Sequence, residues 1–294
     1  MGGAIYPIQE KVTIAPNVTL AVIKAPKIAR KRKAGQFVIL RFYEEGERIP
    51  LTIADADPVE GTITVISQRA GPSTSYFEEM PAEQGILDVV GPLGHPTLIE
   101  KYGRVACVGG GIGIAPIHPI AEAMKAAGND VTVILGGRTK ELVILEDWMR
   151  RITDDLHIAT DDGSYGVKGF VTTVLEDLIG SRGAFDCVVA VGPVPMMKAV
   201  AGLTRRYGIP TVVSLNAIMV DGTGMCGACR VTVDGTRKFT CVDGPEFDGH
   251  KVDFDELMFR LRMFDRYGDR AGAMLGESVS NPNCVKKKAT DGTE

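Results

Sequence analysis

The chain has 294 residues, of which 45% are hydrophobic and 24% are charged, and this length is sufficient for two compact domains with ordinary cores. Its formal net charge is −4, so it has no basic surface field that would hold nucleic acid or an anionic membrane, and neither is expected as a partner. Because it has no apolar run of about 18 residues, no signal-peptide pattern and no regular disulfide framework among its six cysteines, it is expected to work in a reducing cytoplasm.

Residues 1–98 are predicted to form an antiparallel β-barrel domain. Short segments rich in β-branched and aromatic residues, at 19–23, 36–42 and 61–66, are separated by proline, glycine and charged residues. This spacing is typical of a small barrel or sandwich. The basic run at 27–33 could indicate a nucleic-acid surface, but in an acidic chain we interpret it as a solvated turn.

Residues 99–213 follow a different pattern, in which predicted strands alternate with predicted helices. The strands are expected at 104–108, 130–135, 156–160 and 186–191, and the helices at 117–127, 141–152, 168–179 and 195–206. Such alternation indicates a parallel sheet covered by helices on both faces. The expected fold class is therefore a β-barrel followed by a parallel-sheet α/β domain.

Residues 214–250 form a third predicted unit, a small module defined by three clustered cysteines. Residues 251–294 are expected to contain an amphipathic helix at 253–264 and a disordered polar tail in the last ten residues. Asp253 and Glu256 resemble a capping box at the start of this helix. We interpret the helix as packing on its own chain, the alternative being a partner-binding helix.

The most specific motif lies in the third unit. Cys226 and Cys229 are separated by two residues, Cys241 follows after a hairpin-like segment, and Asp221 stands five positions before Cys226. Plant-type iron–sulfur loops have the spacing Cys-x4-Cys-x2-Cys followed by a distant fourth cysteine. Here Asp221 occupies the first position, and three glycines would let the loop direct backbone N–H groups at an inorganic core. We therefore predict an iron–sulfur cluster held by these four residues.

Two other interpretations of the cysteine motif remain open. Three cysteines and one carboxylate could hold a structural zinc ion, or the cysteines could be unligated core residues. The iron–sulfur interpretation is favoured because a zinc site does not require a loop so rich in glycine. Cys107 and Cys187 lie inside apolar predicted strands and are interpreted as core, and Cys284 as a surface thiol.

A second motif connects the predicted strand at 104–108 to a helix. Glycines in such a turn let a helix N-terminus approach a pyrophosphate. A glycine-rich turn alone is a weak signal, but its position directly after an apolar strand indicates nucleotide binding. Two later turns are expected at the same edge of the sheet, where ligands bind. The predicted nucleotide contacts are Gly110, Gly111, Ile112, Gly113, Gly137, Arg138, Gly192, Pro193 and Met196.

The β-barrel domain contributes a third, weaker motif. Arg48 and the segment 50–52 are predicted to end one strand, and Gly71, Ser73 and Thr74 follow another. An arginine, hydroxyl groups and a glycine turn can together hold a phosphate, but each is common in ordinary turns.

Taken in chain order, these motifs resemble the ferredoxin–NADP reductase superfamily. The matching segments are RIPLT and GPST in the barrel, the GPLG segment at 91–94, the GGGIGIAP turn and the GPVPMM turn. The cysteine module is similar to that of dihydroorotate dehydrogenase electron-transfer subunits. Asp221 in place of the first cysteine resembles the small subunits of NADH-dependent ferredoxin:NADP oxidoreductases. The resemblance covers about residues 5–265.

The resemblance implies FAD in the barrel, NADH over the glycine-rich turn and a 2Fe–2S cluster in the third unit. The usual barrel motif is Arg-x-Tyr-Ser/Thr, but Ile49 and Leu51 stand at its arginine and tyrosine positions. The residue that neutralises the flavin phosphates is therefore left open. The residues matched to flavin contacts are Arg48, Pro50, Leu51, Thr52, Ile66, Ser67, Gln68, Gly71, Ser73 and Thr74.

The resemblance also implies an enzyme subunit that exchanges hydride with NAD(H) at FAD and relays single electrons through the cluster, with no protein acid or base assigned. Its expected partner is a larger flavin and iron–sulfur subunit in a heterodimer, which reacts with ferredoxin and carries electron bifurcation. The alternatives are an electron-transfer subunit of dihydroorotate dehydrogenase or of a hydrogenase, a passive iron–sulfur carrier, and a zinc-stabilised nucleotide sensor. NADH is preferred over NADPH by resemblance alone, since Arg138 could serve a 2′-phosphate.

Overall fold

A computed structural model describes residues 6–263 of the chain. Its first part is a six-stranded antiparallel sheet in the order β1-β2-β5-β4-β3-β6. An antiparallel bridge between Tyr6 and Ile86 joins the two edges of this sheet and closes it into a barrel. The elements are β1 Ile8–Ala15, β2 Val18–Lys24, α1 Pro26–Ala29, β3 Phe37–Arg41, β4 Ile49–Asp57, β5 Thr62–Gln68, α2 Pro72–Glu79 and β6 Asp88–Leu93.

The barrel encloses its own hydrophobic core. Inward-facing β-branched and leucine side chains of several strands meet Phe77 of α2, which is fully buried. The basic run at 27–33 begins within α1, where Ile28 is buried and Lys27 and Lys31 are exposed. The predicted solvated turn is thus a single helical turn anchored by Ile28 and Ala29, with its lysines in water, whereas Arg32 is largely covered and pairs with Asp55 at 3.2 Å.

The second part is a seven-stranded sheet in the order β10-β9-β8-β7-β11-β12-β15. All of its strands are parallel except β15, which pairs antiparallel with β12. Helices cover both faces, as the alternating pattern predicted. The elements are β7 Arg104–Gly110, α3 Ile114–Ala126, β8 Asp130–Gly137, α4 Glu146–Arg150, β9 Leu156–Thr160, β10 Val167–Lys168, α5 Val171–Arg182, β11 Cys187–Val191, α6 Val194–Arg206, β12 Thr211–Ser214 and β15 Glu246–Asp248.

The strand order places a topological switch point between β7 and β11. The chain leaves β7 toward β8 on one side, and β11 returns to pair with β7 on the other side. The connections after these two strands therefore diverge, and the crevice between them is where open α/β sheets bind ligands. The predicted β-barrel plus α/β fold class is confirmed by this architecture.

The last elements are a hairpin, β13 Arg230–Val233 and β14 Thr236–Phe239, and helix α7 Phe254–Arg262. The helix packs on its own chain, since Phe254 and Leu257 are buried in a core shared with the hairpin and α6. Asp253 caps it by accepting a hydrogen bond from the backbone N–H of Glu256. The second half of the predicted capping box is wrong, because the Glu256 carboxylate instead accepts from Thr232 N–H at 3.0 Å.

Two other element predictions are corrected by the structure. The predicted helix at 141–152 is a short 3-10 turn followed by α4, because Val143 is extended and Leu145 adopts a left-handed conformation with φ of 58°. The adjacent β-branched Val143 and Ile144 favour extended backbone. The RIPLT motif begins β4 instead of ending a strand. Phe264, Cys284 and the predicted polar tail lie outside the described residues.

Candidate functional site

A large cavity of about 1000 Å³ lies at the carboxyl ends of the parallel strands. Its wall combines barrel residues such as Thr52, the turn that follows β7, and residues such as Met219 and Pro245 from the segments around the cysteines. Cofactor and ligand pockets usually have volumes of about 300–1000 Å³. The position at the switch point and the volume together mark this cavity as the candidate binding site.

The glycine-rich turn forms one wall of the cavity. Gly110, Gly111, Ile112 and Gly113 all line it. A Cβ atom on Gly113 would lie 2.3 Å from the carbonyl oxygen of Val191, so a larger residue would push the turn away from β11. Helix α3 begins directly after the turn, and no side chain caps its first N–H groups. These N–H groups and the helix dipole favour an anion such as a pyrophosphate at this point.

The other predicted nucleotide turns reach the same cavity. Gly137 and Arg138 line it after β8, and Gly192, Pro193 and Met196 line it after β11. All of the predicted nucleotide contacts are therefore gathered at one edge of the sheet, although their contact with a nucleotide itself stays a prediction.

Several cavity residues were missed by sequence reasoning. Asp161 and Phe170 line the cavity beyond β9 and β10, and Phe170 is 65% exposed. Asn216 and Met219 line it from the segment that leads to the cysteines. Asp161 directly follows a predicted strand and could have been found from that position. The segment around Asn216 carries no local signal, because only tertiary packing brings it to the cavity.

Half of the predicted flavin contacts line the cavity from the barrel side. They are Pro50, Leu51 and Thr52 on β4, and Ile66 and Gln68 on β5. The barrel motif and the glycine-rich turn therefore face each other across one space, although their residues are far apart in the chain.

Arg48 and Ser67 lie elsewhere. Ser67 is between two cavity-lining residues of β5, so strand alternation turns its side chain to the opposite face. Its Oγ is buried and has no hydrogen-bond partner among the described residues. Arg48 is exposed and lies near enough to Asp221 to contribute to lowering the pKa of that carboxyl group. The structure thus places Arg48 beside the cysteine loop.

The GPST segment also lies outside the cavity wall, and its hydroxyl groups are engaged with the protein. Ser73 Oγ donates to the Glu47 carboxylate at 2.6 Å. Thr74 Oγ1 accepts from the N–H groups of Ala70 and Gly71 at 2.9 and 3.0 Å. These bonds order the start of α2, and the assignment of Gly71, Ser73 and Thr74 to a flavin pyrophosphate stays a prediction.

Two of the predicted cluster ligands come together in the structure. The sulfur atoms of Cys229 and Cys241 lie 3.2 Å apart, and both side chains are buried. Burial, followed by the hydrogen bond with Cys229, raises the pKa of the Cys241 thiol. The free thiol is therefore protonated at neutral pH, and a metal centre would have to displace that proton to bind.

The other two predicted ligands are not gathered with this pair. Cys226 is exposed, and within residues 6–263 no group of three or more His, Cys, Asp or Glu side chains is arranged to hold a metal ion. Asp221 Oδ2 accepts hydrogen bonds from the N–H groups of Thr223 and Met225, at 2.9 and 3.2 Å. Hydrogen bonds from Thr223 are the largest cause that lowers the pKa of Asp221.

The donor chemistry and the loop geometry nevertheless suit an iron–sulfur cluster. Three thiols within one loop and hairpin are soft ligands for iron. Gly222, Gly224 and Gly227 all have positive φ, and a Cβ atom on Gly222 would lie 2.8 Å from the Ile39 side chain. The loop therefore needs glycine both for its backbone conformation and for its close packing on β3.

Comparison with known proteins places the chain in a family. It is 51% identical over 265 residues to a Thermotoga maritima protein named as a homologue of the electron transfer subunit of dihydroorotate dehydrogenase B (NAD(+)), with 90% of this chain and 93% of that protein covered. It is 36% identical to the electron transfer subunit of this enzyme from Geobacillus thermodenitrificans, with 83% and 98% covered. The chain belongs to the dihydroorotate dehydrogenase B electron-transfer subunit family.

Two domain models match parts of the chain. The oxidoreductase NAD-binding domain matches residues 107–202, and the iron–sulfur cluster binding domain of dihydroorotate dehydrogenase B matches residues 216–253. The chain is thus an oxidoreductase electron-transfer subunit with NAD-binding and iron–sulfur-binding domains. The first range contains the glycine-rich turn, and the second contains all four predicted cluster ligands.

Solved structures extend this family assignment. A chain from a study of flavin-based electron bifurcation by NADH-dependent reduced ferredoxin-NADP oxidoreductase matches with a TM-score of 0.87 and 49% identity, over 93% of this chain and 99% of that one. Phthalate dioxygenase reductase shares the fold at 17% identity and a TM-score of 0.59, over 79% of this chain and 87% of that one. These findings support FAD, a 2Fe–2S cluster and NADH as cofactors. Among the described helices, none has the length and apolarity needed to cross a membrane.

Proposed function

We propose that this subunit exchanges hydride between NAD(H) and FAD and relays single electrons through a 2Fe–2S cluster to its larger partner. The observation that carries the proposal is the shared cavity, in which the glycine-rich turn faces the barrel motif on β4 and β5. Flavins convert hydride transfer into single-electron transfer, and iron–sulfur clusters carry single electrons. The protein supplies position and electrostatics for this chemistry.

The residues around the cavity suggest a division of roles. The N-terminus of α3, after Gly113, would hold the nucleotide pyrophosphate, and the segment from Gly192 to Met196 would hold the nicotinamide end. Thr52 and Gln68 offer hydrogen-bonding groups to the flavin ring on the barrel side. Asp161, which would repel a 2′-phosphate, and Arg138, which would attract one, both line the cavity wall, so NADH is proposed over NADPH by family resemblance alone.

The cysteine loop is connected to the flavin side of the cavity by one strand of the barrel. Gly222 packs against Ile39 on β3, and Ile39 pairs with Pro50 on β4, which lines the cavity. Neighbouring strands are about 4.8 Å apart. The loop and the cavity are therefore separated by a short, packed segment of protein, which supports electron transfer between two cofactors placed there.

We propose Asp221, Cys226, Cys229 and Cys241 as the cluster ligands. Cys229 and Cys241 are already adjacent, whereas Cys226 and Asp221 would have to turn inward as the loop closes on iron. We also propose the functional division 1–98 for flavin, 99–213 for NAD(H), 214–250 for the cluster and 251–294 for the C-terminal segment. In the structure β15 joins the NAD-binding sheet, so the cluster unit is attached to that sheet by strand pairing.

The partner that fits this proposal best is a larger flavin and iron–sulfur subunit that carries out electron bifurcation with ferredoxin. The match at 49% identity to a chain from such an enzyme supports it. The second candidate is a dihydroorotate dehydrogenase partner, which the names of the curated relatives favour. Purification of the chain with its native partner distinguishes these candidates, because only one complex would oxidise dihydroorotate.

The basic function is tested on the purified full chain. We expect bound FAD, two iron and two sulfide per chain, an EPR signal after dithionite reduction, and NADH-dependent reduction of an artificial dye. A passive carrier would hold no flavin and reduce no dye, and a zinc protein would be colourless. Either result would refute the proposed function.

The role of Asp221 is tested separately by three substitutions. Asp221→Asn keeps an oxygen that can accept the loop hydrogen bonds but is a poor iron ligand, whereas Asp221→Cys restores a four-thiolate set. We expect altered EPR spectra in both variants and loss of iron in Asp221→Ala. An exposed, remote aspartate serves as control in Asp154→Ala. If Asp221→Asn keeps the wild-type spectrum, Asp221 only orders the loop.

A further inference from the structure

Two arginines donate hydrogen bonds to the peptide carbonyl groups between Cys226 and Cys229. Arg230 Nη1 donates to the carbonyl oxygen of Gly227 at 3.1 Å. Arg260 Nη2, on helix α7, donates to the carbonyl oxygen of Ala228 at 2.9 Å. Both carbonyl groups of the Cys-x2-Cys spacer are thus bound by guanidinium groups, and one of these comes from an element 32 residues away in the chain.

The geometry of the peptide bond converts these contacts into an orientation of N–H groups. In a trans peptide the C=O and the following N–H point in opposite directions. Binding of the Gly227 and Ala228 carbonyls by the arginines therefore turns the N–H groups of Ala228 and Cys229 away from the guanidinium groups. Within residues 6–263, the backbone hydrogen bonds outside helices and strands include none from these two N–H groups. They are therefore available to donate to sulfur atoms held by the loop.

The arginines also concentrate positive charge beside the thiols. Burial, and then the neighbouring Arg230, lower the pKa of Arg260, with Arg237 adding a smaller effect in the same direction, so three guanidinium groups share this region. Glu256 is the carboxylate that opposes them, and its Oε2 also accepts from Thr232 N–H. A surplus of positive charge stabilises the more negative, reduced state of a nearby redox centre.

Helix α7 is fixed firmly enough to place Arg260. Its buried Phe254 and Leu257 pack into the core shared with the hairpin β13–β14. The N–H of Asp253 donates to the carbonyl of Thr232 on β13 at 2.9 Å, and Lys198 of α6 pairs with Asp255. The hairpin β13–β14 anchors α7 and also follows directly after the cysteine loop in the chain. Movement of α7 would therefore be transmitted to Cys229.

We propose that Arg260 is a positioning residue that orients the Cys226–Cys229 loop toward the iron–sulfur cluster and raises the reduction potential of that centre. This inference rests on the proposed function, since it requires the cluster. It assigns helix α7 to the electron-transfer module, although this helix lies beyond the cysteines and carries no ligand.

The test compares Arg260 with a second arginine on the same helix. Arg260→Gln removes the charge and shortens the donor, and Arg260→Lys keeps the charge but loses the planar guanidinium. Arg262→Gln removes the same charge from an exposed position two residues away and is the matched control. Each full-length variant is purified with its partner, and redox titration followed by EPR gives the midpoint potential and the g values. Iron content and the unfolding midpoint of the apoprotein are measured in parallel.

We expect Arg260→Gln to lower the ratio of reduced to oxidised cluster about tenfold at a fixed ambient potential, which corresponds to about 59 mV for one electron. Its g values should also shift, because the N–H groups near the sulfur atoms are no longer fixed. Arg260→Lys should keep most of the potential but show the altered g values. Arg262→Gln should match the wild type in both.

Four results would overturn the inference. One is an unchanged potential and unchanged g values in Arg260→Gln, even if the apoprotein is less stable, because Arg260 would then only dock the helix. Another is an equal shift in Arg262→Gln, which would show a general charge effect. If Arg260→Gln assembles no cluster, a wild-type spectrum in Arg260→Lys would refute the orienting role. A wild-type chain without iron would refute the proposed function as well.

Discussion

Glu246 provides the sharpest test of the electrostatics of this fold. It lies on β15, half-buried at the junction of the barrel and the second sheet, where Thr97 Oγ1 donates to its Oε1 at 2.6 Å. A Cβ atom on Gly35 would lie 2.7 Å from the same oxygen, which shows how tightly the barrel packs here. Burial raises the pKa of Glu246 to about 7, and the Thr97 hydrogen bond opposes this rise only in part.

The raised pKa sets the sign of the pH dependence. The folded state binds the proton of Glu246 more tightly than the unfolded state, whose carboxyl group titrates near 4.5. The contribution of Glu246 to stability is therefore greatest below pH 4.5, falls as the pH rises between 4.5 and about 7, and is lost above this window. At 1.36 kcal/mol for each pKa unit, the loss is about 3 kcal/mol.

We predict that Glu246→Gln removes this loss. Glutamine keeps an oxygen that accepts the Thr97 hydrogen bond but carries no charge to bury. Urea unfolding followed by circular dichroism at several pH values between 5 and 8 should show a variant that gains stability relative to the wild type as the pH rises, up to about 3 kcal/mol. The exposed Glu83→Gln is the matched control.

A second variant tests the same reasoning by changing the hydrogen-bond donor instead of the carboxyl group. Thr97→Val removes the hydrogen bond that lowers the pKa of Glu246, so the wild-type loss of stability should become larger and extend to higher pH. A difference between Glu246→Gln and the wild type that does not change with pH would refute the assigned burial of the carboxyl group.

The remaining predictions concern the nucleotide turn and helix α7. Gly113→Ala should lower NADH-dependent dye reduction by ~10-fold or more, because its Cβ would lie 2.3 Å from a carbonyl oxygen. Gly111→Ala is the control, since its Cβ meets nothing within 4 Å and the substitution strains only the φ angle, by about 1–2 kcal/mol. Equal activities of the two variants would contradict this prediction. Leu257→Ala should lower the free energy of unfolding by about 2–5 kcal/mol, and a loss below 1 kcal/mol would argue against core packing of α7. Lys198→Ala should cost less than about 1 kcal/mol in the same urea assay, because its pair with Asp255 is exposed.

Many elements could be predicted because their signals are local. Alternating strands and helices between 104 and 206 follow from hydrophobic periodicity over short windows. The structure confirms them apart from the region 141–152 and the start of the helix predicted at 168–179, where Lys168 belongs to β10 and α5 begins at Val171. The prediction failed there because Leu145 has a left-handed backbone conformation that interrupts the helix, and a leucine does not indicate such a conformation. Strand β15 was missed because three residues are too few to show a pattern, and β12 alone gives it a partner.

The candidate site likewise contains some features that the sequence predicted and others that it did not. The spacing of Cys226, Cys229 and Cys241 and the glycine-rich turn could be read from the chain, since ligand spacing and turn conformation are properties of a few consecutive residues. The flavin motif was only partly placed. Arg48 belongs to the same short motif as Thr52, yet it is located beside Asp221, because the strand begins between them.

The sequence by itself determined the types of chemistry in this protein: a nucleotide turn, a cysteine loop and a β-rich domain, each encoded by residues close together in the chain. Only the tertiary structure decided which groups meet. Burial at a junction of two sheets raises the pKa of Glu246, and the docking of α7 brings Arg260 to the carbonyl of Ala228. Such contacts depend on distances between remote segments, which become defined only when the two sheets and the hairpin have packed.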